Sequence, residues 1–166
     1  MFMSKEKLIS QLKNAKNNYI LALQSEKLFK NSSVINHIEY DTLRDILIKK
    51  NNDTDILLYE YKKSNYRQVI SDSIELVKQY CKKTKQLKIF HKSELFCFVK
   101  VFRNALVHDF KFNFLKEEIE KLPLKWRDYT LDEKLKGIDV NFRHLKQDDL
   151  PLLIEDLEKE IKSKLN

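Results

Sequence analysis

Apolar residues along this chain recur at helical rather than strand spacing. From about Lys5 to Phe29, Leu8, Leu12, Ala15, Tyr19 and Leu23 fall on one stripe at steps of three and four, the repeat that lines one side of an amphipathic helix. Ser4 stands where its hydroxyl can accept from a free amide of the first turn. After a break at Asn31-Ser32-Ser33, a second helix capped by Ser33 is expected to about Lys50, and Asn51, Asn52 and Asp53 form the next turn. A third pattern covers roughly Asp55 to Lys82, with Ile56, Tyr59, Val69, Ile70, Ile74, Val77 and Cys81 among its apolar positions and Ser64-Asn65 as a place for an interruption. Ser93 then offers a cap for a short, very apolar helix, Glu94 to His108. Asp149, with Pro151 near the first helical position, opens a last helix whose stripe is Leu153, Ile154, Leu157 and Ile161.

The stretch 110–142 carries a different texture. Phe110, Phe112 and Phe114 alternate, as an extended segment or a packed loop would. The runs Trp126–Leu131 and Ile138–Phe142 flank Gly137 and suggest a small β-hairpin within 126–142. One Gly and two Pro in 166 residues are too few for the turns of a sandwich or barrel. No linker, repeat or low-complexity tract divides the chain. The expectation is an all-α protein, an up-and-down bundle of four to five helices forming a single domain over 1–166.

Composition adds location and partners. Mean hydropathy is −0.54, and no apolar run approaches the ~18 residues a membrane span requires. The N-terminal MFMSKEKLISQLK has neither an uninterrupted apolar stretch nor a small-residue cleavage site. A cytoplasmic protein without membrane contact is therefore expected, with Cys81 and Cys97 as small buried hydrophobes rather than a bridge. Net charge is +7, and residues 78–92 (KQYCKKTKQLKIFHK) hold six Lys and no acid. Such a patch concentrates polyanions, so Lys82, Lys83, Lys85, Lys88 and Lys92 are candidate RNA contacts; the other reading is a solubilising run in a Lys-rich chain.

The helix ELFCFVKVFRNALVH is apolar on two sides. Leu95, Phe98, Val99, Phe102 and Leu106 form one face; Cys97, Val101, Asn104 and His108 form another, which can serve a second subunit. Asn104 and His108 are one turn apart on the same face. Arg103 lies roughly 140° round from His108 at about 100° per residue, yet its long side chain can reach the same phosphate. Histidine exchanges protons near neutrality, arginine offers a charged fork for phosphate oxygens, and asparagine can orient either partner.

Arg103-Asn104-Ala105-Leu106-Val107-His108 resembles the R-x4-6-H signature of HEPN domains, in the form where Asn follows Arg, and VFRNALVHDF near the end of an apolar helix is similar in context. KLPLKWRDYTLDEKLKGIDV is also similar to a bacterial, plasmid-associated HEPN subgroup. The resemblance implies a helical bundle acting as a homodimer, whose two motifs form a composite cleft. It also implies metal-independent RNA cleavage in a toxin or phage-defence setting, with an antitoxin or other regulatory protein as a further partner. Arg103, Asn104 and His108 become the implied catalytic residues, with no cofactor. Where toxins paired with nucleotidyltransferase antitoxins carry a Tyr two residues after the His, this chain has Phe110, which offers no hydroxyl to modify.

Other chemistries find little support. A single Gly excludes P-loop and dinucleotide fingerprints and a serine nucleophile elbow. His37, His91 and His144 are scattered, without metal-ligand spacing. Tyr40, Tyr59, Tyr61, Tyr66 and Tyr80 are either core or base-stacking residues, and Glu155, Asp156, Glu158 and Glu160 suggest a solvated face on the last helix. Two alternatives to the enzyme stand beside it: a non-catalytic HEPN-like module binding RNA or protein, and a helical adaptor in which Arg103 and His108 are structural, since a helix C-terminus favours cations.

Overall fold

The computed structural model describes residues 3–29, 39, 52–108 and 110–166. Four long helices carry the fold: α1 (Lys5–Phe29), α2 (Asn52–Lys83), α4 (Glu94–Val107) and α6 (Leu150–Lys164). Between them lie the short helices α3 (Leu87–Lys92) and α5 (Lys116–Ile119), and a two-stranded antiparallel sheet of β1 (Leu124–Trp126) and β2 (Tyr129–Leu131). The helix expected over Ser33–Lys50, with His37 and Tyr40, lies outside the described residues. Ser4 and Ser93 both cap as their positions suggest, accepting from the amides of Lys7 (3.2 Å) and Phe96 (3.3 Å). α2 runs unbroken through Ser64-Asn65, where the Asn65 amide donates to the Tyr61 carbonyl within the helix.

Contacts between helix ends set the direction of each helix. At one pole the Lys5 ammonium donates to the Leu165 carbonyl at 2.6 Å, Tyr80 OH donates to the Asn166 carbonyl, and Ser93 hydrogen-bonds Glu160. Towards the other pole, Tyr19 OH and Tyr66 OH reach the carbonyls of Gln147 and Leu145, just ahead of α6. Helices α1 and α4 therefore run away from the first, basal pole while α2 and α6 run towards it. The result is an all-α, up-and-down bundle with a small hairpin.

α4 is the most enclosed element. Phe96, Cys97, Phe98, Val99, Val101, Phe102, Ala105 and Leu106 are all buried. Phe102 stacks with Phe98 and meets Tyr66 and Phe112 edge-on. The face bearing Cys97, Val101 and Asn104 is not left for a second subunit, as the sequence suggested. The chain's own 111–122 segment covers it: Lys121 reaches Cys97 Sγ, Glu117 pairs with Lys100 at 2.8 Å, and Glu118 bonds Asn104. Enclosure by local chain wins because the Phe112 and Phe114 side chains bury beside α4 and draw that segment down along it. At the start of α2, Ile56 and Tyr59 are exposed and Leu58 is buried in their place.

The hairpin closes earlier than the sequence suggested. Trp126 faces Tyr129 across the turn at Arg127-Asp128, where Arg127 takes a positive φ of 49°. Gly137, with φ 79°, instead turns the following chain back onto 110–112: its amide donates to the Phe112 carbonyl, and Val140 N–H donates to the Phe110 carbonyl at 2.7 Å. The hairpin is anchored on α6, where Trp126 Nε1 and the Arg127 guanidinium converge on one Asp156 carboxylate oxygen at 3.0–3.2 Å. The acidic row of α6 is thus an anchoring face rather than a solvated one. Glu158 is buried, Glu155 pairs with Lys16, and Asp149, expected at the helix start, accepts from Tyr129 OH instead of capping.

Two outcomes are expected. Phe102→Ala should cost about 3–5 kcal/mol, read as a lower urea midpoint at unchanged slope. Partial burial raises the Asp156 pKa, but hydrogen bonds from Lys159, Arg127 and Trp126 outweigh it and hold the carboxyl below its ordinary value. A depressed folded pKa gives stability that is present above the unfolded value of about 3.9 and is lost as pH falls through the folded value. Asp156→Asn should therefore flatten the acid limb of a stability-against-pH profile without altering its neutral-to-basic shape.

Candidate functional site

The end of α4 gathers the polar residues of its otherwise apolar sequence. The helix stops at His108, whose φ −102° and ψ 92° leave the helical region while its amide still donates to the Asn104 carbonyl at 3.0 Å. That last helical bond places His108 one turn beyond Asn104 at the mouth of the bundle, where His108 is exposed. Its ring has no hydrogen-bond partner among the described residues. Lys111 N–H closes the turn on the His108 carbonyl at 3.3 Å.

Beneath His108, the motif's other members are joined. Arg103 Nη1 donates to Asn104 Oδ1 at 3.2 Å, and Asn104 Nδ2 donates to Glu118 Oε1 at 2.7 Å. The second oxygen of Glu118 accepts from the Leu115 amide at 3.0 Å, fixing the first turn of α5. Glu118 is buried while Arg103 and Asn104 are half-buried. A buried carboxylate is tolerated when both oxygens are hydrogen-bonded, and here the bonds also hold Asn104 so that its carbonyl faces Arg103. The guanidinium, attached roughly 140° round the helix from His108, is held on the Asn104 side by that bond. On the neighbouring turn, the hydrogen bond and charge of Lys100 hold the exposed Glu117 carboxyl below its ordinary pKa.

The candidate RNA-binding lysines sit elsewhere. Lys82 and Lys83 end α2, Lys85 occupies the following turn with φ 59°, and Lys88 and Lys92 lie on α3. All five are exposed at the basal pole. α4, running from Glu94 to Val107, puts about 20 Å between that pole and the His108 end at a rise of about 1.5 Å per residue. The structure brings Arg103, Asn104 and His108 into one neighbourhood and leaves the five lysines at the opposite end.

Residues outside the sequence reading join the site. Glu118 is one; the only sign of it was an acidic pair opening the run KEEIEK. On the other side of the His108 turn, the Lys63 ammonium lies 4.4 Å from the Phe110 ring centroid and the Arg67 guanidinium 5.8 Å from it. A four-residue spacing on α2 was the sole available signal for that pair. A cavity of about 20 Å³ lies between Phe110, Leu106, Tyr66 and Phe142.

The remaining titratable groups are accounted for by packing. His144 sits against Phe112, accepts from the Asn141 amide, and is held below its ordinary pKa by burial. Burial pushes the Cys81 thiol up to about 11. Tyr66 and Tyr80 are core residues, while Tyr59 and Tyr61 are exposed. Among the described residues, no three His, Cys, Asp or Glu side chains are grouped to hold a metal ion, and no helix is long and apolar enough to cross a membrane. Searches against protein-family models, curated proteins and solved structures return no match.

Removing the Glu118 carboxylate should free the Leu115 amide. In Glu118→Ala, hydrogen exchange at Leu115 is expected to accelerate at least tenfold, equivalent to about 1.4 kcal/mol of lost protection, while the Phe98 amide in the middle of α4 keeps its wild-type rate.

Proposed function

We propose that this chain is a HEPN-type, metal-independent endoribonuclease acting at the end of α4. The observation that carries the reading is the linked set Arg103–Asn104–Glu118, anchored in the protein interior one turn below an exposed His108. In this reading His108 takes the proton from an RNA 2′-hydroxyl, whose oxygen attacks the adjacent phosphorus. The bond to the 5′-oxygen breaks, that oxygen leaves with a proton, and a 2′,3′-cyclic phosphate remains. Arg103 stabilises the negative charge that grows on the phosphoryl oxygens, and Asn104 holds the guanidinium in place. The nucleophile belongs to the RNA itself, so a deoxy strand is inert.

A homodimer completes the proposal. Two His108 side chains brought together across a two-fold axis divide the general-base and general-acid roles. The setting is a cytoplasmic toxin or phage-defence system, in which an antitoxin or other regulatory protein restrains the activity. A second reading, a non-catalytic module that binds RNA or protein, is favoured by one feature. His108 has no orienting acceptor among the described residues, whereas catalytic bases are usually held by a third group.

Purified wild type should cleave RNA in EDTA and leave cyclic or 3′-phosphate ends. His108→Ala and Arg103→Ala, verified as folded by their unfolding midpoints, should each lose about 100-fold or more of the rate. Intact RNA in every lane with binding retained supports the non-catalytic module, and equal cleavage by all three proteins removes the assignment of this site.

A further inference from the structure

Two cations from a different helix reach the turn that follows His108. Lys63 and Arg67 are one turn apart on the same face of α2, and both converge on Phe110, two residues beyond His108. We propose that Lys63 and Arg67, seated on the Phe110 ring, form a clamp for an RNA backbone phosphate beside His108, an inference that rests on the ribonuclease reading and supplies its substrate-holding subsite.

Phe110 is the pivot. It has a positive φ of 52°, a conformation that costs a bulky residue about 1–3 kcal/mol and persists only where the surroundings enforce it. Two attachments enforce it here. The Phe110 carbonyl accepts from Val140 N–H at 2.7 Å, and the half-buried ring packs against the hydrophobic core, lining a small cavity with Leu106, Tyr66 and Phe142. The ring is thereby fixed between α2 and the end of α4. Whatever lies over its face is placed at a set position relative to His108, and what lies there is an ammonium and a guanidinium.

Charge balance favours an anion at this point. Among the described residues Lys63 pairs only with the exposed Glu60, at 3.6 Å and one turn away. Arg67 forms no ion pair among the described residues. Two neighbouring cations are already paired, Lys100 by Glu117 and Lys111 by Asp139, while Arg103 is held by the neutral Asn104 carbonyl and keeps its charge. Two like charges drawn onto one ring repel each other, and a phosphate bridging them relieves the repulsion while taking hydrogen bonds from both. An aromatic seat restrains the two long side chains beforehand and so lowers the entropy lost on binding. The lysines at the basal pole lie beyond the other end of α4, a helix about 20 Å long. Their part is long-range attraction of the polyanion, whereas Lys63 and Arg67 hold the strand where the chemistry occurs.

The probe is a single-stranded 2′-O-methyl RNA oligonucleotide, which lacks the nucleophile and reports binding alone. Its affinity is followed by fluorescence anisotropy from low to high salt for wild type, Lys63→Gln/Arg67→Gln, Phe110→Leu and Lys82→Gln/Lys85→Gln. Two phosphate contacts predict that the log–log salt slope falls by about 1.4 in Lys63→Gln/Arg67→Gln, with affinity at low salt at least tenfold weaker. Phe110→Leu keeps the apolar filling but removes the ring face, and should weaken binding while leaving most of the slope. Lys82→Gln/Lys85→Gln should bind more tightly than Lys63→Gln/Arg67→Gln. With cleavable RNA, Lys63→Gln/Arg67→Gln should raise KM and largely spare kcat, unlike His108→Ala. A wild-type slope in folded Lys63→Gln/Arg67→Gln, or no binding of the probe by wild type, overturns the clamp even if cleavage is seen. A reduced slope in a protein that cleaves nothing keeps the clamp and removes the ribonuclease reading.

Discussion

A helix that is apolar on nearly every side has to be enclosed, and the enclosure of α4 organises this molecule. α2 and α6 pack against it from the bundle, and β1 closes a third side. The last side is covered by the chain that leaves α4 itself: after His108 it turns at Phe110, buries Phe112 and Phe114, and descends to Lys121 beside Cys97. Polar side chains on α4 can survive only where this covering ends or supplies partners. That confines Arg103, Asn104 and His108 to its final turns.

The same covering segment brings Glu118 to Asn104. A carboxylate in that position is stable because the Leu115 amide and the Asn104 amide satisfy its two oxygens, and the bonds work in both directions. They fix α5 on the bundle, and they orient the asparagine that holds Arg103. Fold and site therefore share one set of hydrogen bonds, and a change that loosens the Leu115–Glu118 turn disturbs the support of the arginine. On the other flank the Phe110 ring, two residues beyond His108, seats Lys63 and Arg67 of α2.

Periodicity was sufficient for the four long helices, but not for the short α3 and α5. The stripe Leu153, Ile154, Leu157 and Ile161 is fully buried, as are Leu8, Leu12 and Tyr19 on α1, because burial of one face is the force that a helical repeat records. Both serine caps were readable for a similarly local reason. The stretch 110–142 was harder because its order comes from partners distant in sequence: Gly137 turns the chain onto Phe112, and Trp126 is held by Asp156. The motif Arg103–His108 was legible as letters at helical spacing. Glu118 was not, since nothing in its own neighbourhood says that it folds under Asn104. The basic run 78–92 was plain in the sequence, but its distance from His108 follows only from the antiparallel course of α2 and α4.

Glu118 and Asn104 act as one hydrogen-bonded unit supporting Arg103. A double-mutant cycle measured by urea unfolding tests this most directly, using Asn104→Ala, Glu118→Ala and the double variant. Groups that share a hydrogen bond in a semi-buried network should couple by about 1 kcal/mol or more, the double variant losing less than the sum of the single losses. Losses that add to within about 0.5 kcal/mol would mean that the two side chains stabilise the protein independently, and the support for Arg103 would have to be sought elsewhere.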